Sequence, residues 1–331
     1  MYTFKQHTEE AIPFPLPFSQ TNLYSKLQES QDFRTERFIV LRDKTIIGFF
    51  QVIIFPLIKN KTSIYVPYGP VLQESTPELL LETASFLKKL GKEKEAVFVR
   101  TDFSHNSDLA LPPAYKPIAG YAYKTAYHQP RGEWLLDISS APDELLASMH
   151  KKTRYNINKS LKQGMETKIY TGADIAPWAG TFIALNDQNT KAHGTTTHPK
   201  KYFKSFFELA SQDENNFIAI TRKDGHVLAI NVFIRNENSV FCPFGASNDL
   251  GKKLGAYYHI KWSSILHMKE QGVTTFNWGG VSVGMNDEYL AGVTKFKTGF
   301  GGSSVTHPPL HDIIISKPWY YLYMLRKFLK K

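Results

Sequence analysis

The stretch 275–302 reads TFNWGGVSVGMNDEYLAGVTKFKTGFGG and sets Lys297 among glycines and aromatic residues directly after a strand-like run. A lysine held there can steady a negative charge as it develops. Residues 273–278 are β-branched and aromatic, the composition of a strand, and Gly279 and Gly280 are expected to end it where a backbone can approach a ligand closely. After the acidic loop 286–288, residues 293–300 alternate loosely in the manner of another strand, with Phe296 and Lys297 at its centre. Gly299, Gly301 and Gly302 then release the chain from ordinary φ/ψ limits, which suits a long substrate.

A second candidate is Asp102, in V-R-T-D-F at the end of a predicted strand. A carboxylate there can orient an incoming ammonium and take its proton, or can simply cap a turn. The sharpest electrostatic signal lies in a helix predicted over 140–163. Leu145, Leu146, Met149, Thr153, Ile157 and Leu161 fall on one side, while Lys151, Lys152, Lys159 and Lys162 share an arc of roughly 100° on the other. Arg154 flanks that arc and offers a bidentate grip on phosphate. The plain alternative is a solvated face.

Three weaker patterns point to other chemistry. Residues 280–284 satisfy G-x-S-x-G after a strand, but too little chain follows for the remaining strand–helix units and histidine of a serine hydrolase. K-K-L-G-A at 252–256 precedes a helix and resembles a pyrophosphate loop of acyl-CoA enzymes, without the second spaced glycine. The 11 histidines include no H-E-x-x-H, and His307 with His311 lacks an evident third ligand, so no metal is expected.

The elements that must position these residues follow from composition and patterning. A chain of 331 residues allows two domains, and 42% apolar residues suffice for their cores. With 40 Lys and Arg against 30 Asp and Glu, the net charge of +10 predicts attraction to polyanions: RNA, anionic lipid or a diphosphate. A non-enzymatic RNA-binding module would satisfy the charge but leave the Lys297 segment unexplained. Cys242 is the only cysteine, which excludes an intrachain disulfide and suits a reducing cytoplasm. The start MYTFKQHTEE does not read as a signal peptide, and the longest apolar stretch, 45–58, is too short to span a bilayer.

Strands are predicted over 38–41, 46–54, 63–66 and 96–100, with a helix over 77–90 stopped by Gly91. A strand at 135–138 ends the first half. Ser140 with Asp143, and Pro142 in the first turn, announce the helix that opens the second, so the boundary is placed near Ser139. The second half repeats the logic: helices over 175–189 and 200–211, strands over 217–221, 227–235 and 239–244, an amphipathic helix over 257–271, and a strand over 273–278. The tail 317–331 carries five cations and no acid, with Tyr321, Leu325, Phe328 and Leu329 at helical spacing. It either packs back on the first domain or lies on an anionic membrane surface.

Phe296 to Gly302 (F-K-x-G-F-G-G), F-G-A-S-N-D at 244–249, F-N-W-G-G at 276–280, Y-G-P-V at 68–71 and the basic K-K-T-R-Y-N-I-N-K at 151–159 together resemble the Fem-type aminoacyltransferases. That family adds amino acids from aminoacyl-tRNA to the stem peptide of peptidoglycan precursors. The resemblance implies an α/β fold of mixed sheets in two tandem acetyltransferase-like (GNAT-like) domains, 1–138 and 139–306, with 307–331 packing on the first. It implies no arm insertion and no cofactor beyond aminoacyl-tRNA as co-substrate. It makes Lys297 the catalytic lysine, Asp102 the conserved acid, and Lys26, Tyr68, Phe296 and His198 substrate contacts. Lys26 would meet the precursor's diphosphate, with Tyr24 as its neighbouring aromatic, and tRNA would dock on the basic helix. The acceptor, nucleotide-linked (UDP-MurNAc-pentapeptide) or lipid-linked (lipid II), stays open. A cytoplasmic monomer, in peripheral contact with the inner membrane leaflet if the tail is interfacial, is the corresponding expectation.

Overall fold

The computed structural model describes residues 1–104, 110–118, 129–193, 197–283 and 288–329. Two compact units emerge: Met1–Arg131 with Thr306–Lys331, and Gly132–Val305. In the first, β1 (Tyr2–Gln6), β2 (Arg34–Arg42), β3 (Thr45–Pro56) and β4 (Thr62–Val66) form an antiparallel meander, with the short β5 (Val71–Leu72) on β3. Helix α1 (Asn22–Glu29) precedes β2. Helix α2 (Pro77–Glu93) starts where the Thr76 hydroxyl accepts from the Leu79 amide at 3.2 Å, and leads to β6 (Ala96–Thr101), parallel to β4. The helix runs past Gly91, which is no stop. A Cβ at Gly91 would come within 2.9 Å of the Ile315 side chain, so glycine here admits a packing neighbour. The short β7 (Lys116–Pro117) completes the described strands before the second unit.

That unit opens with β8 (Gly132–Asp137), which pairs antiparallel with a strand far along the chain and therefore belongs to it; the boundary falls at Arg131 and not at Ser139. The helix expected over 140–163 is two helices, α3 (Pro142–Ser148) and α4 (Lys151–Leu161). Met149 and His150 are extended between them, and the His150 amide donates to Gly299 O at 3.0 Å. Glu144, not Asp143, reaches back to the Ala141 amide at 3.3 Å. The break also shifts the phase: α4 buries Thr153, Ile157 and Ser160, and Leu161 is exposed.

Then come β9 (Glu166–Thr171), α5 (Ala179–His193), α6 (Lys200–Ala210), β10 (Phe217–Lys223), β11 (His226–Asn236), β12 (Ser239–Ser247), α7 (Asp249–Leu254), α8 (Ala256–Glu270), β13 (Thr275–Val281), α9 (Glu288–Thr298) and β14 (Ser303–Thr306). The sheet order is β14-β8-β13-β12-β11-β10-β9, with β12 and β13 parallel. Helix α8 is not amphipathic. Ile260, Lys261, Trp262, Ser264, Ile265 and Met268 are all buried, because α4 covers one side and the sheet the other.

The chain returns to the first unit as β15 (His311–Ile314), antiparallel to β6, and α10 (Lys317–Leu329), giving the order β1-β2-β3-β4-β6-β15-β7. Arg100 on β6 and Asp312 on β15 form a buried two-point pair at 2.9 and 2.8 Å, and the Tyr320 hydroxyl donates to the same carboxylate at 3.0 Å. Trp319, Tyr320, Tyr323 and Met324 of α10 pack on Val97 and Phe98. Of the stripe expected to pack inward, Tyr321 and Leu325 instead face outward, 66% and 56% exposed, and Leu322 beside them is 46% exposed. Phe328 and Leu329 share the helix, and Lys330 and Lys331 lie outside the described residues. Among the described residues no helix is long and apolar enough to cross a membrane.

Candidate active site

In the second unit, β13 runs through both glycines that were expected to end it. A register shift between Asn277 and Gly280 bulges the strand; Gly279, at φ +71°, makes the bend, and its amide donates to Asn277 Oδ1 at 2.7 Å. The other end of Asn277 donates to the buried Glu133 of β8 at 3.2 Å. Helix α9 packs on this strand, so Lys297 is a helical residue and not a strand residue. Phe296 in the helix and Phe300 in the turn that ends it seat this segment: they lie against Trp278 at 6.1 and 4.6 Å and against Tyr258 at 5.4 and 6.0 Å. A loosely alternating run of this length does not distinguish the two periods. Residues 284–287, including Gly284 of the G-x-S-x-G pattern, lie outside the described residues.

Lys297 is half-buried in the last turn of α9 and donates to Gly280 O at 2.5 Å. Burial pushes its pKa down to about 8, helped by the charge of Lys261 and opposed by Cys242 and Glu133. The result is a lysine that stays a cation at neutral pH yet gives up its proton more readily than an exposed one. Lys261, Cys242, Glu133, Asn231 and Asn277 complete this centre, and sequence reasoning missed them all. The available signal was a charged residue inside an apolar run, as in I-K-W for Lys261 and G-E-W-L-L for Glu133.

In the first unit, Asp102 follows β6 and is 2% exposed. Its two oxygens accept from the Tyr65 hydroxyl and the Tyr68 amide. Burial raises its pKa to about 8, against the pull of both donors and of Arg100. Tyr68, left-handed at φ +46°, donates its hydroxyl to Pro130 O at 2.5 Å and sets its ring 4.5 Å from that of His307. Asp102 thus holds the Tyr68 turn, and a carboxylate with both oxygens engaged in the interior does not reach an incoming amine as the general-base expectation required.

The remaining expected residues are scattered over both units. Lys26 is exposed on α1, and its aromatic neighbour Tyr24 is turned into the core beside Ile53 and Tyr65. His198 precedes α6, with its ring stacked on Tyr202 at 3.9 Å. Lys151, Lys152 and Lys159 are exposed on one face of α4, and Lys162 just follows it. Tyr155, 64% exposed, stands in the middle of that face. Arg154 Nη1 donates to Ala147 O at 3.0 Å and to Met149 O, closing the end of α3. In K-K-L-G-A, Gly255 is the left-handed joint between α7 and α8, and Asn248 caps α7 through the Gly251 amide at 2.7 Å.

The family model for the "FemAB family" matches residues 2–106 and 210–327, a span that includes Asp102, Tyr68, Phe296 and Lys297. The chain belongs to the FemAB family. Among curated proteins, this FemAB chain is 28% identical over 154 residues to aminoacyltransferase FemA of Staphylococcus epidermidis, over 45% of its own length. It spans 36% of the length of that relative. Among solved structures, a crystal structure of FemX superposes with a TM-score of 0.81 at 17% identity, covering 93% of this chain and 94% of that one. A tandem GNAT protein from the clavulanic acid biosynthesis pathway superposes with a TM-score of 0.51 at 9% identity, covering 91% and 90%. At those identities the likeness speaks for the fold, and the fold of this FemAB chain is a mixed α/β, tandem GNAT-like one.

Proposed function

We propose that this FemAB protein is an aminoacyltransferase of peptidoglycan bridge synthesis, moving an amino acid from aminoacyl-tRNA to the amine on a precursor's stem peptide. The observation that carries the reading is the half-buried Lys297 ammonium at the end of α9, within the part of the chain that the family matches. The reaction is aminolysis of an ester. The neutral amine attacks the carbonyl carbon joining the amino acid to the tRNA ribose, and the carbonyl oxygen becomes an oxyanion. Lys297 stabilises that oxyanion or the departing ribose oxygen, and collapse leaves an amide and a free hydroxyl. The activated ester supplies the driving force, so the only co-substrate is the charged tRNA.

Asp102 serves from the first unit by holding Tyr68, which with Lys26 contacts the precursor; Phe296 and His198 contact substrate in the second. Lys151, Lys152, Lys159 and Lys162 receive tRNA phosphates, with Tyr155 among them as a surface on which a base can stack. The acceptor is nucleotide-linked or lipid-linked, and the protein works as a monomer in the cytoplasm, touching the inner leaflet through α10 when the acceptor is lipid-linked.

The test is to incubate the protein with mixed charged tRNAs and each precursor form and to weigh the products. Transfer is expected to be abolished by ribonuclease and indifferent to acetyl-CoA; the opposite pattern would favour an acyl-CoA N-acyltransferase. Lys297→Met should lower kcat by ~10²–10³, the size of an oxyanion-donor deletion. A Lys297→Met protein transferring at the normal rate would remove this mechanism.

A further inference from the structure

Lys261 lies in the interior of α8, 6% exposed, and among the described residues forms no ion pair with a carboxylate. Its Nζ is 2.9 Å from Cys242 Sγ and 5.2, 5.4 and 5.2 Å from the ring centres of Phe233, Phe276 and Trp278. Asn231, oriented so that both ends of its amide are paired, donates to Ile230 O at 3.0 Å and accepts from Lys261 Nζ at 3.2 Å. Room for that amide comes from Gly245, the glycine of F-G-A-S-N-D: a Cβ there would lie 2.3 Å from the end of the Asn231 amide that faces Ile230 O. Three strands, β11, β12 and β13, therefore surround one ammonium.

An apolar side chain of the same length would fill this space without losing the hydration of a charge. The packing alone gives no reason for a cation. The reason lies in its neighbour: Lys261 Nζ sits over Trp278 of β13, and Lys297 of α9 donates to Gly280 O two residues along the same strand.

We propose that Lys261 is a positioning residue of the transfer reaction: a second, buried cation that acts through Lys297 by setting the field in which the developing negative charge is met. This rests on the reading of Lys297 given above. The geometry agrees with the lowered pKa of Lys297, to which Lys261 contributes after burial itself. Among the described residues, the other titratable groups that act on Lys297 are Glu133 from β8 and Cys242 from β12. Tyr257 and Tyr258 of α8 meet α9 through Phe296, and Lys295 of α9 itself is exposed. β11 and β13 bring the uncharged Asn231 and Asn277, and α4 meets the end of α9 at Thr153.

The experiment compares wild type, Lys261→Met, which removes the charge and keeps the length, and Lys261→Arg, which keeps the charge. Two readouts are taken: the pH profile of kcat/KM for aminoacyl transfer, and the titration of the Lys297 side-chain resonance in ¹³C-lysine-labelled protein, assigned with Lys297→Met. In wild type both midpoints are expected near pH 8. In Lys261→Met both should move up by about one pH unit, as removal of one nearby like charge requires, with a roughly tenfold loss of rate at neutral pH. Lys261→Arg should stay with wild type. Unmoved midpoints in Lys261→Met overturn the proposal, since a merely structural lysine would lower the rate at every pH alike. Should Lys261→Met not melt cooperatively, Lys261→Gln, which keeps donors for Cys242 and Asn231, gives the same comparison. Full activity of Lys297→Met would instead sink the reading of Lys297, while the resonance titration would still report whether Lys261 governs it.

Discussion

Lys297 and Asp102 are opposite solutions to the cost of burying charge. Desolvation lowers the lysine and raises the carboxylate, so that both titrate near pH 8, one in each unit. For Lys297 the cationic form does the work, so transfer should fall as pH rises through about 8. For Asp102 the consequence is one of stability. Its pKa rises from 3.8 to about 8 on folding, so its contribution is complete below the unfolded value and is lost as pH climbs through the folded one. Wild type should therefore lose stability relative to Asp102→Asn between about pH 4 and about pH 8, by at most about 1.4 kcal/mol per pH unit. Denaturant melts of the two proteins across that range check this; parallel curves would show that Asp102 does not carry the raised pKa.

At the scale of elements, the break between α3 and α4 matters most for function. It draws Arg154 Nη1 to the carbonyls that end α3 and leaves Lys151, Lys152 and Lys159 exposed around Tyr155. Cations and an aromatic ring contribute differently to RNA binding. Replacing the three lysines with Ser should weaken tRNA binding and flatten its log–log salt dependence by about 2, each phosphate contact accounting for a slope near 0.7–0.9. Tyr155→Ala should weaken binding by ~1–3 kcal/mol with the slope unchanged. Filter binding from low to high salt separates the two effects, and a triple variant with the wild-type slope would mean that tRNA docks elsewhere.

Across the whole molecule, strands at both ends of the second unit take partners far along the chain. β8 precedes the second unit's own meander yet pairs with β13, and β15 follows the second unit yet closes the first beside β6. The buried Arg100–Asp312 pair then anchors the chain's last segment, which turns Trp319 and Tyr320 inward and leaves Tyr321, Leu322 and Leu325 outward beside Arg326. On a chain of net charge +10, that outward stripe predicts binding to anionic vesicles. Replacing Leu322, Leu325, Arg326 and Lys327 with Ser should reduce sedimentation with phosphatidylglycerol vesicles several-fold. Equal sedimentation would end the idea of peripheral membrane contact.

What the sequence determined by itself was local. Hydrophobic period and turn residues placed most strands and helices of both units, and five short motifs in order carried the family resemblance, because glycine, aromatic and cationic residues at set spacings leave a mark that needs no partner to be read. Tertiary structure alone decided whatever depended on a distant neighbour. Residues 293–298 are helical because Phe296, with Phe300 just past the helix end, meets Trp278 and Tyr258, and Gly91 sits within a helix where Ile315 packs close. Asp102 holds a turn because Tyr65 and Tyr68 take up its oxygens. Lys261 had no motif at all, since what singles out a buried ammonium is the set of groups around it, contributed by strands that are adjacent only after the chain has folded.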